Sequence, residues 1–276
     1  MTEEDALGEG RATPGYILKI NQARSNLKRW SSLEWVTFWV VIPALLFVVY
    51  SLPQAIKDRF FILNTQYPGR VSTWILSSYT HTQLYPHLIG NLAFYLVVLL
   101  MIFLFENNKR RFRILAGWSF LVVPFISSFL TILLWSTFNR TVTGQGFSAI
   151  IGAFLAYAMF AFVTWGIGEE IQVFDHPESY PGPEIRLNVS KVLVMVILAL
   201  IVVMGLQMGI FTDSGGAVSN GIAHFGGFIT ALVLLFVIDT RTETRRYFDT
   251  MMGIAIVIGI IWYISYLQNL IEIVKG

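Results

Sequence analysis

The chain has 276 residues, of which 55% are hydrophobic and 13% charged, with no cysteine and a net charge of +2. Soluble domains carry about 25% charged residues, so this composition disfavours a water-soluble globular protein. It also excludes disulfide stabilisation. The nearly balanced charge gives no reason to expect a nucleic-acid partner.

Seven uncharged apolar runs are long enough to cross a bilayer, because a spanning helix needs about 20 apolar residues. None has the continuous polar face that a helix in a water-soluble bundle would show. We therefore predict an all-α polytopic membrane protein with seven transmembrane helices. These predicted spans, numbered 1 to 7 in chain order, cover residues 35–52, 88–105, 114–138, 149–168, 192–212, 221–238 and 250–271.

The segment before span 1 sets the expected orientation. Residues 1–34 are polar and show no cleavable signal pattern, so span 1 is expected to direct insertion. With a cytoplasmic N-terminus, the inner segments contain 14 of the 19 Lys and Arg residues. The positive-inside rule expects such an excess. We therefore predict a multi-pass protein of the cell membrane with 1–34 in the cytoplasm.

Further local predictions concern two prolines and the first predicted outer segment, residues 53–87, which we call the outer segment. The stretch Arg70-Val-Ser-Thr-Trp-Ile-Leu76 is amphipathic, which favours an interfacial element with Trp74 at the lipid headgroups. Pro43 and Pro124 fall inside spans 1 and 3 and are expected to kink them.

Three short polar motifs lie at the outer ends of spans 2, 4 and 6, where polar groups in lipid usually have a function. All three spans run inward in the predicted topology, so the motifs are expected at one depth. A serine, an imidazole and two further hydrogen-bonding side chains at one place are the parts of a serine hydrolase. The motifs are His87-Leu-Ile-Gly-Asn91, Gly146-Phe-Ser148-Ala149 and Ala223-His224-Phe-Gly-Gly227.

Ser148 is the candidate nucleophile and His224 its candidate general base. A serine at a helix N-terminus often serves only as a cap, but the N–H groups there also stabilise negative charge. His87 and Asn91 lie four residues apart on one helix face. They can donate hydrogen bonds to a developing oxyanion, or they can tie span 2 to its neighbours.

Small residues predict that spans 4 and 6 pack closely, because such residues at helical spacing let membrane helices approach each other. Gly144 and Gly146 add a flexible backbone shortly before the serine. We therefore expect the Ser148 hydroxyl and the His224 imidazole to meet at hydrogen-bond distance. The residues on the two facing sides are Ser148, Gly152 and Ala156 of span 4, and His224, Gly227 and Ala231 of span 6.

Together the three motifs resemble those of the rhomboid family of intramembrane serine proteases. That family carries His-x-x-x-Asn on helix 2, Gly-x-Ser-Gly at the start of helix 4 and Ala-His-x-x-Gly on helix 6. The resemblance implies a rhomboid-like six-helix catalytic core over residues 35–240. It also implies a cytoplasmic segment over 1–34 and, over 241–276, a linker with an additional seventh transmembrane helix.

The resemblance also implies a function and a role for each site residue. Ser148 and His224 would act as a catalytic dyad, and His87, Asn91 and the Ser148 N–H would stabilise the oxyanion. Residues 212–219 would form a cap loop and span 5 a lateral gate. The expected activity is a serine endopeptidase, without metal or cofactor, that cleaves transmembrane segments of membrane proteins near the outer leaflet.

Three departures from the family pattern concern the site itself. Ala149 replaces the usual glycine after the serine. Gly152 stands where many members carry an aromatic residue that stacks on the catalytic histidine, so another group must orient His224. In family members four residues usually separate an earlier histidine from the histidine of the motif, whereas here five residues separate His81 from His87. The resemblance therefore gives His81 no role.

Three alternative functions are compatible with parts of the sequence. A proteolytically inactive rhomboid-like protein that binds membrane clients would keep the same fold, and Gly152 is compatible with it. A metal hydrolase is disfavoured because the chain has no His-Glu-x-x-His motif and no cysteine pair. A small-molecule transporter is disfavoured because the spans show no repeated halves.

Overall fold

The structure, a computed structural model, describes residues 15–81, 83–137, 141–167 and 221–238. These residues are mostly helical, as expected for an all-α membrane protein. Three of the helices are long and apolar enough to cross a membrane, and two shorter helices are also apolar. Several predictions lie outside the described residues: those for spans 5 and 7, for the segment 241–276 and for the loop 212–219.

Within the described ranges the chain forms eight α-helices and one two-stranded sheet. It also has a 3-10 turn, Ser77–Tyr79, and a π-helical turn, Leu84–Leu88. The antiparallel strands are β1, Leu63–Asn64, and β2, Thr143–Gly144. The helices are α1 Gly15–Arg29, α2 Ser32–Tyr50, α3 Gln54–Phe60, α4 Val71–Leu76, α5 Ile89–Phe105, α6 Lys109–Thr137, α7 Ser148–Ile167 and α8 Gly221–Ile238.

The five predicted spans that fall in described residues are all helical. Spans 2, 4 and 6 agree with α5, α7 and α8 to within one residue at each end. Spans 1 and 3 correspond to α2 and α6. Helix α6 begins earlier than span 3 because it includes the basic residues from Lys109, and the Asn108 side chain accepts a hydrogen bond from the Arg111 N–H at 3.1 Å.

Helix α7 forms the centre of the bundle. It packs against α5, α6 and α8, and α8 also packs against α6. In the most apolar stretch of α7, 65% of the residues are buried, compared with 11% in that of α2. A helix that is apolar on every side is suited to such a central position. The residue that opens α7, Ser148, is therefore surrounded by the other helices.

Helix α1 lies across the ends of two apolar helices. The last carbonyl groups of a helix have no partner within it, and side chains from outside can supply the missing donors. The α1 segment does this for α5 and α7. The bonds join Asn26 Nδ2 to the Leu104 oxygen (3.0 Å), Trp30 Nε1 to the Phe103 oxygen (2.8 Å) and Lys19 Nζ to the Gly166 oxygen (2.6 Å).

Glu34 joins the start of α2 to the start of α6. Its carboxylate accepts a hydrogen bond from the Ser31 N–H at 2.8 Å, completing a capping box. The same group pairs with Arg113 at 2.9 Å and Lys109 at 3.5 Å. These contacts gather α1, the starts of α2 and α6 and the ends of α5 and α7 at one end of the bundle. We call it the basic end, after Lys19, Arg24, Lys28, Arg29, Lys109 and Arg113.

Pro124 leaves one carbonyl group of α6 without a helical partner, because proline has no N–H to donate. That carbonyl belongs to Phe120, four residues earlier, and it accepts a hydrogen bond from the Tyr79 hydroxyl. Burial raises the pKa of Tyr79 to about 12, so the phenol stays protonated and can donate. The outer segment thereby supplies a hydrogen bond that the helix lacks.

Pro43 creates the same problem in α2, and a second tyrosine satisfies it. The turn before it, Thr37–Val41, is widened to π-helical geometry, in which the Phe38 carbonyl would need the missing N–H of Pro43. Instead, the Phe38 oxygen accepts a hydrogen bond from the Tyr95 hydroxyl of α5 at 3.1 Å. Tyr95 is completely buried. Side chains of neighbouring segments thus complete both proline-containing helices.

Replacing Tyr79 by Phe should lower the stability of the folded protein, because the Phe120 carbonyl would stay buried without a donor. Such a loss costs about 1–3 kcal/mol. Thermal unfolding in detergent would measure it, with Tyr67→Phe as the control because Tyr67 is exposed. Equal melting temperatures for the two variants would contradict this account of Pro124.

Candidate active site

Ser148 and His224 meet between α7 and α8. Ser148 is the first residue of α7, and His224 lies in the first turn of α8. The serine Oγ and the imidazole Nε2 are 2.5 Å apart, and the two residues are 8% and 7% exposed. A base in hydrogen-bond contact with a hydroxyl is the geometry that nucleophilic catalysis needs. The predicted proximity of the two side chains is therefore confirmed, while their catalytic role stays a prediction.

The two helices approach so closely that only glycine fits at two positions. A methyl group on Gly152 would lie 2.7 Å from the backbone oxygen of His224. One on Gly227 would overlap the backbone oxygen of Ala149. Backbone atoms cannot move aside as a flexible side chain can, so the contact requires both glycines. Together with the fully buried Ala231, it confirms the predicted close packing of small residues.

The same contact explains how His224 is positioned without an aromatic neighbour at Gly152. The Cα of Gly152 lies against the backbone of His224, so no side chain can be accommodated there. The packing of α7 against α8 therefore sets the position of the His224 backbone relative to Ser148. The alanine at position 149 also fits, since it is 2% exposed and its carbonyl faces Gly227.

Gly146 lies between His87 and Ser148. Its φ of +126° belongs to the left-handed region that favours glycine. A methyl group there would lie 3.3 Å from His87 Nε2 and 3.8 Å from Ser148 Oγ. The glycine therefore both permits the turn into α7 and leaves room for the His87 ring beside the serine.

The backbone before Ser148 is held by the outer segment. Gly144 pairs with Leu63 in the short sheet, and the Gly146 N–H donates to the Ser77 oxygen at 2.9 Å. The Phe147 N–H donates to His81 Nε2 at 3.4 Å. Each of these contacts holds the backbone before Ser148 from a different part of the outer segment.

The amphipathic stretch of the outer segment forms α4 and packs against α6. The Trp74 indole donates to the Pro68 oxygen at 2.9 Å and its ring lies 5.2 Å from that of Phe125. The Ser128 hydroxyl of α6 donates to the Trp74 oxygen at 2.7 Å. The stretch is therefore anchored to the bundle, and its position at the lipid headgroups stays a prediction.

Asn91 contacts His81, a residue for which the sequence indicated no role. Asn91 Nδ2 and His81 Nε2 are 2.9 Å apart, and His81 is completely buried. The His81 ring also lies edge-on to that of His87, with centroids 4.9 Å apart. Helical spacing does not predict the contact between His81 and Asn91, because the backbone is extended at Tyr85, with φ −123° and ψ 136°. The chain therefore folds back and brings His81 toward α5.

The four predicted site residues thus lie in one region. Ser148 bonds His224, His87 lies beside Gly146, and Asn91 is linked through His81 to the residue before the serine. Among the residues that the structure describes, no three His, Asp or Glu side chains are grouped as ligands of a metal ion would be. The available groups are a hydroxyl, imidazoles, an amide and the N-terminus of α7.

Comparison of the chain with protein-family models, with curated proteins and with solved structures gave no match. A functional conclusion therefore depends on the motifs and on the geometry of this chain.

Gly152→Ala and Gly227→Ala should each lower the melting temperature, because the added methyl would push the backbones of α7 and α8 apart. Overpacking of this kind typically costs about 1–3 kcal/mol. The matched control is Gly117→Ala in α6, where a methyl group would have no neighbour within 4 Å. That control should be neutral or slightly stabilising, because alanine favours helix over glycine by about 1 kcal/mol. Melting temperatures of Gly152→Ala and Gly227→Ala equal to that of the Gly117→Ala control would refute the close contact.

Proposed function

We propose that this protein is a rhomboid-type intramembrane serine endopeptidase. The observation that carries the proposal is the buried hydrogen bond of 2.5 Å between Ser148 Oγ and His224 Nε2. It lies between two apolar helices, α7 and α8, with the candidate donor His87 nearby and the candidate donor Asn91 linked through His81 to Phe147. The three motifs that resemble the rhomboid family supply these four side chains.

In the proposed reaction His224 takes the proton of Ser148 as Oγ attacks the carbonyl carbon of a peptide bond. To accept that proton at Nε2, the neutral imidazole must carry its own proton on Nδ1. His224 then gives the proton to the leaving amine, which frees the first product. A water molecule, deprotonated by the same imidazole, hydrolyses the acyl-enzyme and regenerates the Ser148 hydroxyl.

The negative charge that develops on the substrate oxygen needs donors close to Ser148. The N–H groups at the start of α7 carry the positive end of the helix dipole, and Ser148 contributes the first of them. His87 and Asn91 add side-chain donors from the start of α5. Preorganised donors of this kind are usually the largest single contribution to the catalysis of acyl transfer.

The position of the site supports a membrane-embedded substrate cut near the outer face. The site lies at the opposite end of the apolar helices from the basic end, which the positive-inside rule assigns to the cytoplasm. We propose that the substrates are transmembrane segments of other proteins in the cell membrane. An intact helix hides its carbonyl groups, so segments weakened by small residues near the cleaved bond would be preferred.

The dyad can be tested with Ser148→Ala and His224→Ala in the full-length protein reconstituted in liposomes. Both variants should lose cleavage of a co-reconstituted transmembrane substrate and labelling by a fluorophosphonate probe, because each removes one half of the proton-transfer pair. Ser136→Ala is the control, since that residue is exposed and its hydroxyl donates to the Leu133 oxygen of its own helix. Cleavage that persists in Ser148→Ala would end the proposal. A wild-type protein that binds the segment without cutting it would indicate the inactive client-binding alternative.

Loss of an oxyanion donor gives a second, quantitative test. Asn91→Ala should reduce kcat by about 10²–10³ with little change in KM, because the donor acts mainly in the transition state. Asn26→Ala is the matched control: it removes an amide that bonds the Leu104 oxygen at the basic end. The control should lower stability but not the kcat of the folded protein. Equal kcat values for the two variants would exclude Asn91 from the oxyanion site.

A further inference from the structure

We propose that His81 is a positioning residue that holds the Asn91 amide and the backbone before Ser148 in the geometry required by the reaction. This inference rests on the proposed function and adds a residue to it.

Two hydrogen bonds converge on one atom of His81. Its Nε2 lies 2.9 Å from Asn91 Nδ2 and 3.4 Å from the Phe147 nitrogen. Asn91 belongs to α5, and Phe147 directly precedes the nucleophile. One buried imidazole therefore joins the helix that carries the oxyanion donors to the turn that carries the serine.

The chemistry of the Phe147 contact fixes the protonation of His81. A backbone N–H can only donate, so Nε2 must be an unprotonated acceptor and the ring proton must be on Nδ1. Burial, and secondarily the neighbouring His87, lowers the pKa of His81 to about 3. The ring therefore stays neutral at physiological pH and remains an acceptor at Nε2.

The acceptor at Nε2 in turn fixes the orientation of the Asn91 amide. Because Nε2 accepts, the asparagine must present its NH2 group to it and not its oxygen. One N–H of the amide then bonds His81, and the other is left to donate elsewhere. Without His81 the amide could rotate and turn its oxygen toward the developing negative charge, which would be repulsive.

Three substitutions separate this role from simple packing. His81→Phe keeps a ring of similar shape but removes the acceptor, whereas His81→Gln restores an acceptor through Oε1. Thr80→Val is the control, because it changes the neighbouring residue, which is also completely buried, and its hydroxyl has no hydrogen-bond partner among the described residues. All variants are compared below their melting temperatures, in the full-length protein.

We expect His81→Phe to lower kcat about 10–100-fold with KM little changed, because a misplaced donor impairs mainly the transition state. His81→Gln should recover much of this loss, and Thr80→Val should behave as wild type. Adding His81→Phe to Asn91→Ala should cause less than the additive loss, since part of the effect of the histidine is exerted through that amide. Unchanged kcat in His81→Phe, or fully additive losses in the double variant, would overturn the inference.

Hydrogen exchange gives a readout that does not need catalysis. The Phe147 amide should exchange faster in His81→Phe than in Thr80→Val, because it loses its acceptor, and this holds in a Ser148→Ala background as well. Exchange that is unchanged in His81→Phe would also overturn the inference. Wild-type protein that neither cleaves nor labels would overturn the proposed function and this inference together. A Ser148-dependent activity that is insensitive to His81→Phe would overturn the inference alone.

Discussion

The backbone contact between α7 and α8 is the constraint on which the rest of the site depends. The helices approach so closely that the His224 carbonyl lies against Gly152 and the Ala149 carbonyl lies against Gly227. In an apolar surrounding, helices associate mainly through packing and hydrogen bonds, so small residues decide where they meet. Since the contact includes His224 itself, helix packing sets the depth at which its imidazole faces Ser148.

The need to satisfy polar backbone groups in an apolar bundle explains why the outer segment and α1 belong to the fold. An unpaired buried carbonyl is costly, and proline residues and helix ends create several of them. The hydroxyls of Tyr79 and Tyr95 donate to carbonyls left by two prolines. Asn26 and Trp30 of the N-terminal segment donate to the end of α5. These segments therefore complete the hydrogen bonding of the apolar helices and do not merely flank them.

The candidate site combines two side chains fixed by helix packing with a turn that is fixed by hydrogen bonds. The Ser148–His224 pair depends on two packed helices, whereas the turn before the serine is held by hydrogen bonds from the Ser77 and His81 region. A nucleophile at a helix start benefits from the local positive potential, and donors on α5 extend that potential across the site. In this arrangement Ser148, His224 and the backbone before the serine are held by contacts within the protein, and such preorganisation is what the proposed catalysis would require.

The sequence alone determined the features that depend on local periodicity. Uncharged runs predicted the bounds of α5, α7 and α8, and small residues at helical spacing predicted that Ser148 would meet His224. Only the tertiary structure revealed the contact of His81 with Asn91, the polar helix α1 and the two tyrosine bonds. The physical reason is the same for all three. Each involves a partner on another element, and His81 reaches Asn91 because the chain is extended at Tyr85, where helical spacing no longer applies.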